Sequence, residues 1–591
     1  MAKVKNTKQA VIKTPTQKKN ILLYISLICL VTFIVFFPSL YNSMDIWDDV
    51  YFITNNPLVK SSSWSNINMP CLGNYHPLTM LSYSLEYHLF GLNPFPYHLD
   101  NIIIHLLSTS LLFWFIYKLS SKILVAVIAA LLFGIHPLHV ESVTWISERK
   151  DVLYTLFYIA GLIFYLNYKE QKNKVYYLLA ILAFMFSCLS KPMAVTFSVI
   201  LLLIDYLKEK KLTLSMLYDK IPFFIISLVF GIISIKIQKE SGAVGFASNA
   251  VYTLSDRFFF ANYSLFFYLY KMVFPFHLSG LYPYPVKSGS TPLPFPYLIS
   301  PLFNALFFFW IIYSLKRSKN VVFGCLFFFI SIFPVLQILS VGAAVAADRY
   351  FYVASIGMFF LAGIGFNNIF ENKKYASYKS PMIILSSVIL LLFSYQTFEQ
   401  TRIWKNSGVF WGNVAEEFPK LELPYYNRAA YYYGIKDYDS ALLDFNKAIE
   451  INPRYKEAIS WRAEILTKKL QYQLAADDYS RLIASDPNDF DAYAKLGELH
   501  GKYLNNINKA QEYLTKAYNL KPDNASNLDN LGIVCALKGE HKLAIQYFLK
   551  ALSLNPKDAS TLRNLGITYK NTGAEKTAKE YLDKADALGK Q

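Results

Sequence analysis

Charged residues are scarce in this sequence of 591 residues: Asp, Glu, Lys and Arg together make up only 17% of it. A water-soluble domain usually carries about 25% charged residues. Hydrophobic residues reach 54% instead, and aromatic residues reach 17%. The apolar residues lie in blocks before residue 400, whereas the sequence after residue 420 has an ordinary soluble composition. This distribution excludes one soluble domain and predicts two parts of different kinds.

Cysteines are also few. The chain has five, at positions 29, 71, 188, 325 and 535, and none of them forms a C-x-x-C pair. This spacing supports neither a disulfide framework nor a zinc site. The net charge of +17 comes from short cationic clusters between the apolar blocks. That arrangement is typical of membrane topology signals and not of a basic stripe, so we predict no nucleic-acid partner.

Long apolar runs divide the first 400 residues. The first run, 21–40, follows a basic segment, 1–20, that holds six lysines and no acidic residue. It is long for the core of a signal peptide and no A-x-A-like site follows, so we predict a retained span rather than a cleaved signal peptide. The other predicted spans, which bring the number to eleven, are 102–118, 122–137, 151–168, 175–189, 193–207, 220–236, 297–314, 321–340, 350–368 and 381–398.

The positions of Lys and Arg between these spans predict the orientation. The positive-inside rule places the N-terminus in the cytoplasm, since the segments then assigned inside hold 21 Lys and Arg. Segment 258–276 is apolar enough to span, but counting it would put the 316–319 cluster outside, so we predict that it is re-entrant or lies at the outer interface. An odd number of spans leaves the C-terminal part outside. The bias to Lys, Ile, Asn and Phe indicates a bacterial inner membrane, with this part periplasmic or extracellular.

A period of 34–35 residues marks the C-terminal part, 425–591, after a predicted linker, 401–424. The period is visible in Pro453, Pro487, Pro522 and Pro556 and in Leu-Gly pairs at 496–497, 531–532 and 565–566. This spacing is the signature of the tetratricopeptide repeat, a pair of antiparallel helices. We predict about five such pairs, stacked into a curved array with a concave groove. The fold class is therefore all-α: a polytopic membrane domain, 21–400, followed by a repeat solenoid.

Asparagines occupy one equivalent position of three repeats, at Asn427, Asn530 and Asn564. An amide side chain donates and accepts at once, so a ladder of them can hold an extended peptide in the groove regardless of its sequence. The alternative is that Asn is simply tolerated on a solvated helix face. Trp461 and Lys495 interrupt the ladder in the other two repeats. Both interpretations remain open.

Candidate chemistry lies in the outer segments. Asp48 and Asp49 stand in the first outer segment, 41–100, directly after the first span. Paired carboxylates can share a proton, so one of them can act as a general base, although surface aspartates are the common alternative. A second outer segment carries His136, His139, Glu141, Arg149 and Lys150, and Arg349 lies in a later one. Cations on the outer face oppose the positive-inside bias, and an anionic substrate would explain them.

Seven short stretches together resemble a known family. They are Trp47–Pro57, His76–Thr79, Tyr97–Asn101 with His105, Phe133–Ser142, Ser147–Asp151, Ser190–Met193 and Asp348–Tyr350. In this order, with repeats following, the chain resembles the transmembrane and tetratricopeptide-repeat protein O-mannosyltransferases, which are GT-C glycosyltransferases. The chain has fewer repeats than many members of that family.

The resemblance implies inverting transfer of a mannose-like sugar from a polyprenyl-phosphate donor to a hydroxyl acceptor, a protein or peptide, at the outer membrane face. By resemblance Asp48 or Asp49 is the base, and we favour Asp48, with Asp49 orienting the acceptor. Arg149, Lys150 and Arg349 are the candidates for binding the donor phosphate. The structural alternative is an ion pair, of Arg149 with Glu148 or Asp151 and of Arg349 with Asp348. We predict no cofactor. A divalent metal on His136, His139 and Glu141 is the alternative to a His-Pro turn packed at a helix end.

Three other functions fit the same outline. A non-catalytic scaffold for envelope assembly would make the acid pair dispensable, and a ligase would act on glycan rather than protein. A transporter should place ionisable residues near the middle of the bilayer, often in two related halves. Asp205 is the only acid predicted deep in a span, and the membrane part has no visible internal repeat, which disfavours transport.

Overall fold

The computed structural model describes residues 15–61, 69–209, 215–242, 252–285, 292–338 and 342–589. The chain divides into two compact units, Met1–Glu417 and Phe418–Gln591. Both units are built almost entirely from helices. The all-α prediction is therefore confirmed, with apolar helices in the first unit and short paired helices in the second.

The helices of the first unit follow the apolar runs of the sequence. They are α1 Pro15–Phe36, α2 Pro57–Lys60, α3 Pro77–Phe90, α4 Pro94–Ser120, α5 Ile123–Ile135, α6 Val140–Thr144, α7 Arg149–Gln171, α8 Lys174–Ser190, α9 Phe197–Lys208, α10 Ser215–Tyr218, α11 Ile221–Glu240, α12 Leu254–Val273, α13 Phe295–Ser314, α14 Lys319–Ile332, α15 Phe351–Glu371, α16 Lys379–Ile403 and α17 Ser407–Glu417. Single 3-10 turns cover Phe37–Tyr41, Pro137–His139, Ile146–Glu148, Pro192–Thr196, Phe333–Val335, Asp348–Tyr350 and Lys373–Tyr378, and a π turn covers Val50–Thr54.

Seven helices in the described part of the chain are long and apolar enough to cross a membrane, or eight if α5 and the bent segment after it form one span. The chain is thus a polytopic membrane protein. The sequence predicted eleven spans, and the difference lies in helix length. The predicted spans at 175–189, 193–207 and 321–340 coincide with α8, α9 and α14. These helices have 17, 12 and 14 residues and are shorter than any of the seven. Helix α12, which covers residues 258–273 of the ambiguous segment 258–276, is not among the seven.

The core of the first unit lies where α4, α5, α7 and α15 pack against one another. Helices α14 and α15 approach so closely that backbone meets backbone. A Cβ at Gly324 would lie 2.6 Å from the carbonyl oxygen of Gly357, and a Cβ at Gly357 would lie closer still to the carbonyl oxygen of Gly324. Only glycine fits such a crossing, so this pair fixes the position of α15 and of the Asp348–Tyr350 turn that precedes it.

A small hairpin also supports that turn. Strands β1 Tyr282–Pro283 and β2 Ala344–Ala346 pair in antiparallel fashion. Helix α12 holds the hairpin, because Ser264 Oγ donates to Val345 O at 2.7 Å and Tyr268 Oη contacts both the N–H and the C=O of Ala347 at 3.0 and 3.1 Å. The chain enters the Asp348–Tyr350 turn directly from this anchored strand.

Much of the predicted linker, 401–424, belongs to the first unit. Helix α17 packs there through Phe410 and Trp411, which are 0% and 2% exposed, and Trp404 before it is equally buried. The sequence predicted this stretch as a linker between the membrane domain and the repeats. Its aromatic residues nevertheless form a packed cluster, so the boundary between the units falls at Glu417.

The second unit consists of five helix pairs, in agreement with the predicted period. They are α18 Glu422–Gly434 with α19 Tyr438–Ile451, α20 Lys456–Lys468 with α21 Tyr472–Ser485, α22 Phe490–Lys502 with α23 Ile507–Leu520, α24 Ala525–Leu537 with α25 His541–Leu554, and α26 Ala559–Asn571 with α27 Glu575–Gly589. The Leu-Gly pairs mark the close crossings inside a pair. A Cβ at Gly497, Gly532 or Gly566 would lie 2.6, 2.5 or 2.8 Å from a side chain of the partner helix.

Candidate active site

Asp49 is buried and held in place. Its side chain is 1% exposed, and its Oδ1 accepts hydrogen bonds from the Ser147 amide at 2.9 Å and from the Ser147 hydroxyl. Burial raises the pKa of Asp49 to about 7, although both hydrogen bonds from Ser147 act in the opposite direction. The carboxyl group therefore joins the first outer segment to the turn that leads into α7.

Asp48, the neighbour of Asp49, is in a different situation. Its side chain is partly exposed and has no hydrogen-bond partner among the residues that the structure describes. Burial raises the pKa of Asp48, and the charges of Lys150, Glu148 and Arg349 act on the same carboxyl. A partly exposed carboxylate with unused acceptor positions is free to take a proton from an incoming group.

Three cations converge on one buried carboxylate, that of Glu148. Its Oε1 lies 2.9 Å from Lys150 Nζ and 3.4 Å from Arg349 Nε, and its Oε2 lies 3.4 Å from Lys191 Nζ. Glu148 is 2% exposed. We call Lys150, Lys191 and Arg349 the cation cluster. Since a single carboxylate cannot neutralise three cations, the cluster depends on further acids.

Two further acids complete these ion pairs. Lys191 Nζ lies 2.5 Å from Asp151 Oδ1, and Arg349 pairs with Glu141 through its guanidinium and through its amide N–H at 2.9 Å. The alternative pairing of Arg349 with its neighbour Asp348 is not what the structure shows. Asp348 instead accepts a hydrogen bond from Tyr282 of the hairpin at 3.0 Å.

Each member of the cation cluster keeps unused hydrogen-bond donors in the described part of the chain. Lys150 uses two of its three N–H groups, on Glu148 and on Ser147 O at 3.0 Å. Lys191 likewise uses two, and Arg349 directs Nε and Nη1 to carboxylates, which leaves Nη2. Three cations with an unused donor therefore lie near a partly exposed carboxylate, that of Asp48.

Arg149 does not join the cation cluster, although the sequence predicted it as a phosphate ligand beside Lys150. Adjacent residues at the start of a helix point in different directions. Arg149 is 0% exposed, pairs with Glu86, and donates to Asn101 Oδ1 at 2.8 Å and to Tyr97 O at 2.7 Å. All three guanidinium nitrogens are thereby used. Its carboxylate partner is Glu86 rather than Glu148 or Asp151, the partners considered from the sequence.

His136 and His139 form a packed turn at the end of α5. The His136 Nδ1 accepts from the Leu138 amide at 3.2 Å and its Nε2 contacts Met272 O at 3.0 Å, while His139 Nδ1 contacts Phe133 O at 2.8 Å. Both rings are fully buried among aromatic side chains. Glu141 is committed to Arg349. Within the described ranges no three His, Cys, Asp or Glu side chains are placed to hold a metal ion.

Sequence reasoning missed two members of this site. From the sequence, Lys191 lies in one of the seven stretches without a predicted role, and Glu148 is predicted only as an ion-pair partner of Arg149. The signal available for Lys191 was a lysine at the assigned outer end of an apolar helix, the same signal that singled out Lys150. Nothing in the sequence indicates that three separate segments meet at Glu148.

In the repeat unit the three predicted asparagines differ in their contacts. Asn427 donates to Leu423 O of its own helix at 3.0 Å. Asn564 donates to Asp529 of the preceding repeat at 3.2 Å. Asn530 is half-buried and has no hydrogen-bond partner among the described residues. The predicted ladder is therefore uneven, and only Asn530 offers an uncommitted amide.

Taken together, the fold and the site define a polytopic membrane protein with a buried acid–cation site and a C-terminal repeat unit. The repeats are tetratricopeptide repeats, since models of that repeat match residues 423–455, 490–524, 525–558 and 547–580.

Curated relatives confirm the resemblance that the seven stretches indicated. The chain is similar to human protein O-mannosyl-transferase TMTC1, with 24% identity over 70% of this chain and 54% of that one. Human TMTC3 is 26% identical over 76% of this chain and 54% of its own length. Protein O-mannosyl-transferase F38B6.6 of Caenorhabditis elegans is 25% identical over 70% and 60%. The chain thus spans 54–60% of the length of these relatives.

Solved structures match the repeat unit. YrrB, described as a TPR protein with an unusual peptide-binding site, is 24% identical and covers 30% of this chain and 91% of its own, with a TM-score of 0.28. A thermophilic TPR protein of Thermus thermophilus, TTC0263, is 24% identical and covers 29% and 92%, with a TM-score of 0.24.

Proposed function

We propose that the chain is a membrane glycosyltransferase. It moves a mannose-like sugar from a polyprenyl-phosphate donor to a hydroxyl group of a protein. The observation that carries this proposal is the partly exposed, unpartnered Asp48 beside the cation cluster with its spare donors. The names of the relatives support sugar transfer to protein rather than to glycan.

The reaction is a single inverting displacement. Asp48 takes the proton of the acceptor hydroxyl as its oxygen attacks the anomeric carbon of the sugar. The bond between that carbon and the donor phosphate breaks, and the phosphate leaves with the bonding electrons. Lys150, Lys191 and Arg349 stabilise the charge that grows on the phosphate, because charged donors fixed in place act most strongly where charge develops. Asp49 holds the loop through Ser147 and keeps its neighbour in position.

The repeat unit serves the acceptor. Its half-buried Asn530 has an uncommitted amide at the position that Asn427 and Asn564 occupy in two other repeats. An amide can bind a peptide backbone without regard to its sequence. Recruitment raises the local acceptor concentration to about the millimolar range for short tethers. Membrane lipid surrounds the apolar helices, and Asp48 and the cation cluster lie at the outer face of a bacterial inner membrane.

The test is transfer by the purified full chain in vesicles. We expect labelled mannose to pass from polyprenyl-phosphate mannose to a protein acceptor and not from a nucleotide-linked mannose. A scaffold would give no transfer from either donor. A glycan ligase would label an extracted envelope glycan and leave protein unlabelled, and either result would contradict the proposal.

A further inference from the structure

A third acid, Asp45, precedes Asp48 and Asp49 and joins two segments that are far apart in sequence. Its Oδ1 accepts a hydrogen bond from the Ser407 amide at 3.1 Å and another from the Ser43 hydroxyl. Two further hydrogen bonds join the same two segments. The Ser43 amide donates to Lys405 O at 2.8 Å, and Asn42 Nδ2 donates to Thr401 O at 3.1 Å. Residues 42–45 are thus hydrogen-bonded to residues 401–407 at three points.

Aromatic packing strengthens this junction. The Trp47 ring lies 5.1 Å from the Trp411 ring of α17 and stacks on Trp145 at 5.9 Å. Trp404 in turn lies 5.4 Å from Trp145 and 4.7 Å from Phe410. Trp47 has a φ of 46°, in the left-handed region that residues with a Cβ disfavour. Such a backbone persists only where the surroundings impose it, and here α17 supplies those surroundings.

This junction determines where Asp48 stands. Asp48 follows the constrained Trp47 directly, and its own side chain makes no hydrogen bond to any described residue. Its position opposite the cation cluster therefore depends on the backbone on either side. Asp49 fixes one side through Ser147, and Asp45 fixes the other side through Ser407.

We propose that Asp45 is a positioning residue, which ties the loop of Asp48 to the first residue of α17 and so places the base for reaction. The proposal rests on the proposed glycosyltransferase function. Asp45 touches neither donor nor acceptor in this scheme. A displaced reacting group can cost about 100-fold in rate even when binding is intact, so the effect falls on kcat.

The chain offers a clean pair of variants at Ser407. Ser407→Pro removes the N–H that donates to Asp45, together with the serine hydroxyl, and proline is well tolerated as the first residue of a helix. Ser407→Ala keeps that N–H and is the matched control. The cap of α17 is separate from Asp45, since Asn406 Oδ1 accepts from the Val409 amide at 2.9 Å.

The experiment measures kcat and the KM for polyprenyl-phosphate mannose in the full chain. We expect Asp45→Ala and Ser407→Pro to lower kcat about 10- to 100-fold and to leave KM within about twofold. Ser407→Ala should behave as the wild type, and Asp45→Asn should retain most activity because its Oδ1 still accepts the hydrogen bond.

Two controls make the outcomes distinct. Transfer that is normal in both Asp45→Ala and Ser407→Pro but absent in Asp48→Asn would overturn the positioning role alone. So would a raised KM with unchanged kcat, which would mean that Asp45 contacts the donor. No transfer by the wild type would instead overturn the proposed function and the inference with it. If Asp45→Ala fails to fold, the kcat of Ser407→Pro compared with that of Ser407→Ala still tests the positioning role.

Discussion

Neighbouring residues of this site have different tasks. Asp48 and Asp49 are adjacent, yet one is partly exposed and unpartnered while the other is buried on Ser147. Arg149 and Lys150 are adjacent as well, yet Arg149 is fully buried on Glu86 and Asn101 whereas Lys150 belongs to the cation cluster. The sequence identified all four residues from their types. It could not separate them, because the direction of a side chain at a helix start depends on packing that only the folded chain defines.

The pH dependence of stability tests the burial of Asp49. Its pKa rises from about 3.9 in an unfolded chain to about 7 in the native state, because burial disfavours the charged carboxylate. The native state then binds more protons between these values, so the free energy of unfolding falls as pH rises from 4 to 7. We expect Asp49→Asn to flatten this slope and to raise the thermal unfolding midpoint at pH 8. Parallel pH profiles of variant and wild type would contradict the assignment.

Arg149 should prove structural rather than catalytic. Burial raises the pKa of Glu86 to about 7 even with Arg149 beside it. Removing one partner of such a buried pair usually costs about 3–5 kcal/mol. We expect Arg149→Gln to lower the unfolding midpoint, and Glu86→Gln added to it to restore part of the loss. An Arg149→Gln variant with the unfolding midpoint of the wild type but weaker binding of the lipid donor would contradict this prediction and support Arg149 as a phosphate ligand.

At the scale of elements, periodic patterns predicted most of the fold. The apolar runs placed the membrane helices, and the 34-residue period placed all five repeat pairs. Helix α17 was not predicted because it is short, with 11 residues, and part of its packing comes from a distant segment of the chain. Its aromatic contact Trp47 lies more than 360 residues earlier. Span length was predicted least well, since composition does not show where a helix bends or stops.

The Leu-Gly pairs of the repeats give an element-scale prediction. A Cβ at Gly532 would lie 2.5 Å from the Phe548 ring, so Gly532→Ala overpacks the crossing of α24 and α25. Overpacking of this kind costs about 1–3 kcal/mol. Gly434→Ala is the control, because a Cβ at the end of α18 meets nothing within 4 Å. Denaturant unfolding of the repeat unit should show Gly532→Ala destabilised and Gly434→Ala unchanged or slightly stabilised. Equal stability of the two variants would contradict the close crossing.

For the whole molecule, the boundary at Glu417 predicts how catalysis and acceptor binding separate. A chain that ends at Glu417 keeps α17 and should retain slow donor hydrolysis and transfer to a small acceptor, while losing efficient use of a protein acceptor. A chain that ends at Ile403 lacks Trp404 and the Ser407 amide and should lose both reactions. Activity with each acceptor is measured on monodisperse protein. Equal activity of the two truncations would show that α17 has no part in the site.

The central claim is that Asp48 is the base of a sugar transfer. The measurement that tests it most directly is the rate of mannose transfer from polyprenyl-phosphate mannose to protein by Asp48→Asn and wild type, in matched vesicles. Asparagine has the same shape and cannot accept the proton, so the account predicts a loss of about 10²–10⁴-fold with donor binding unchanged. Transfer at the rate of the wild type by a folded Asp48→Asn variant would contradict it.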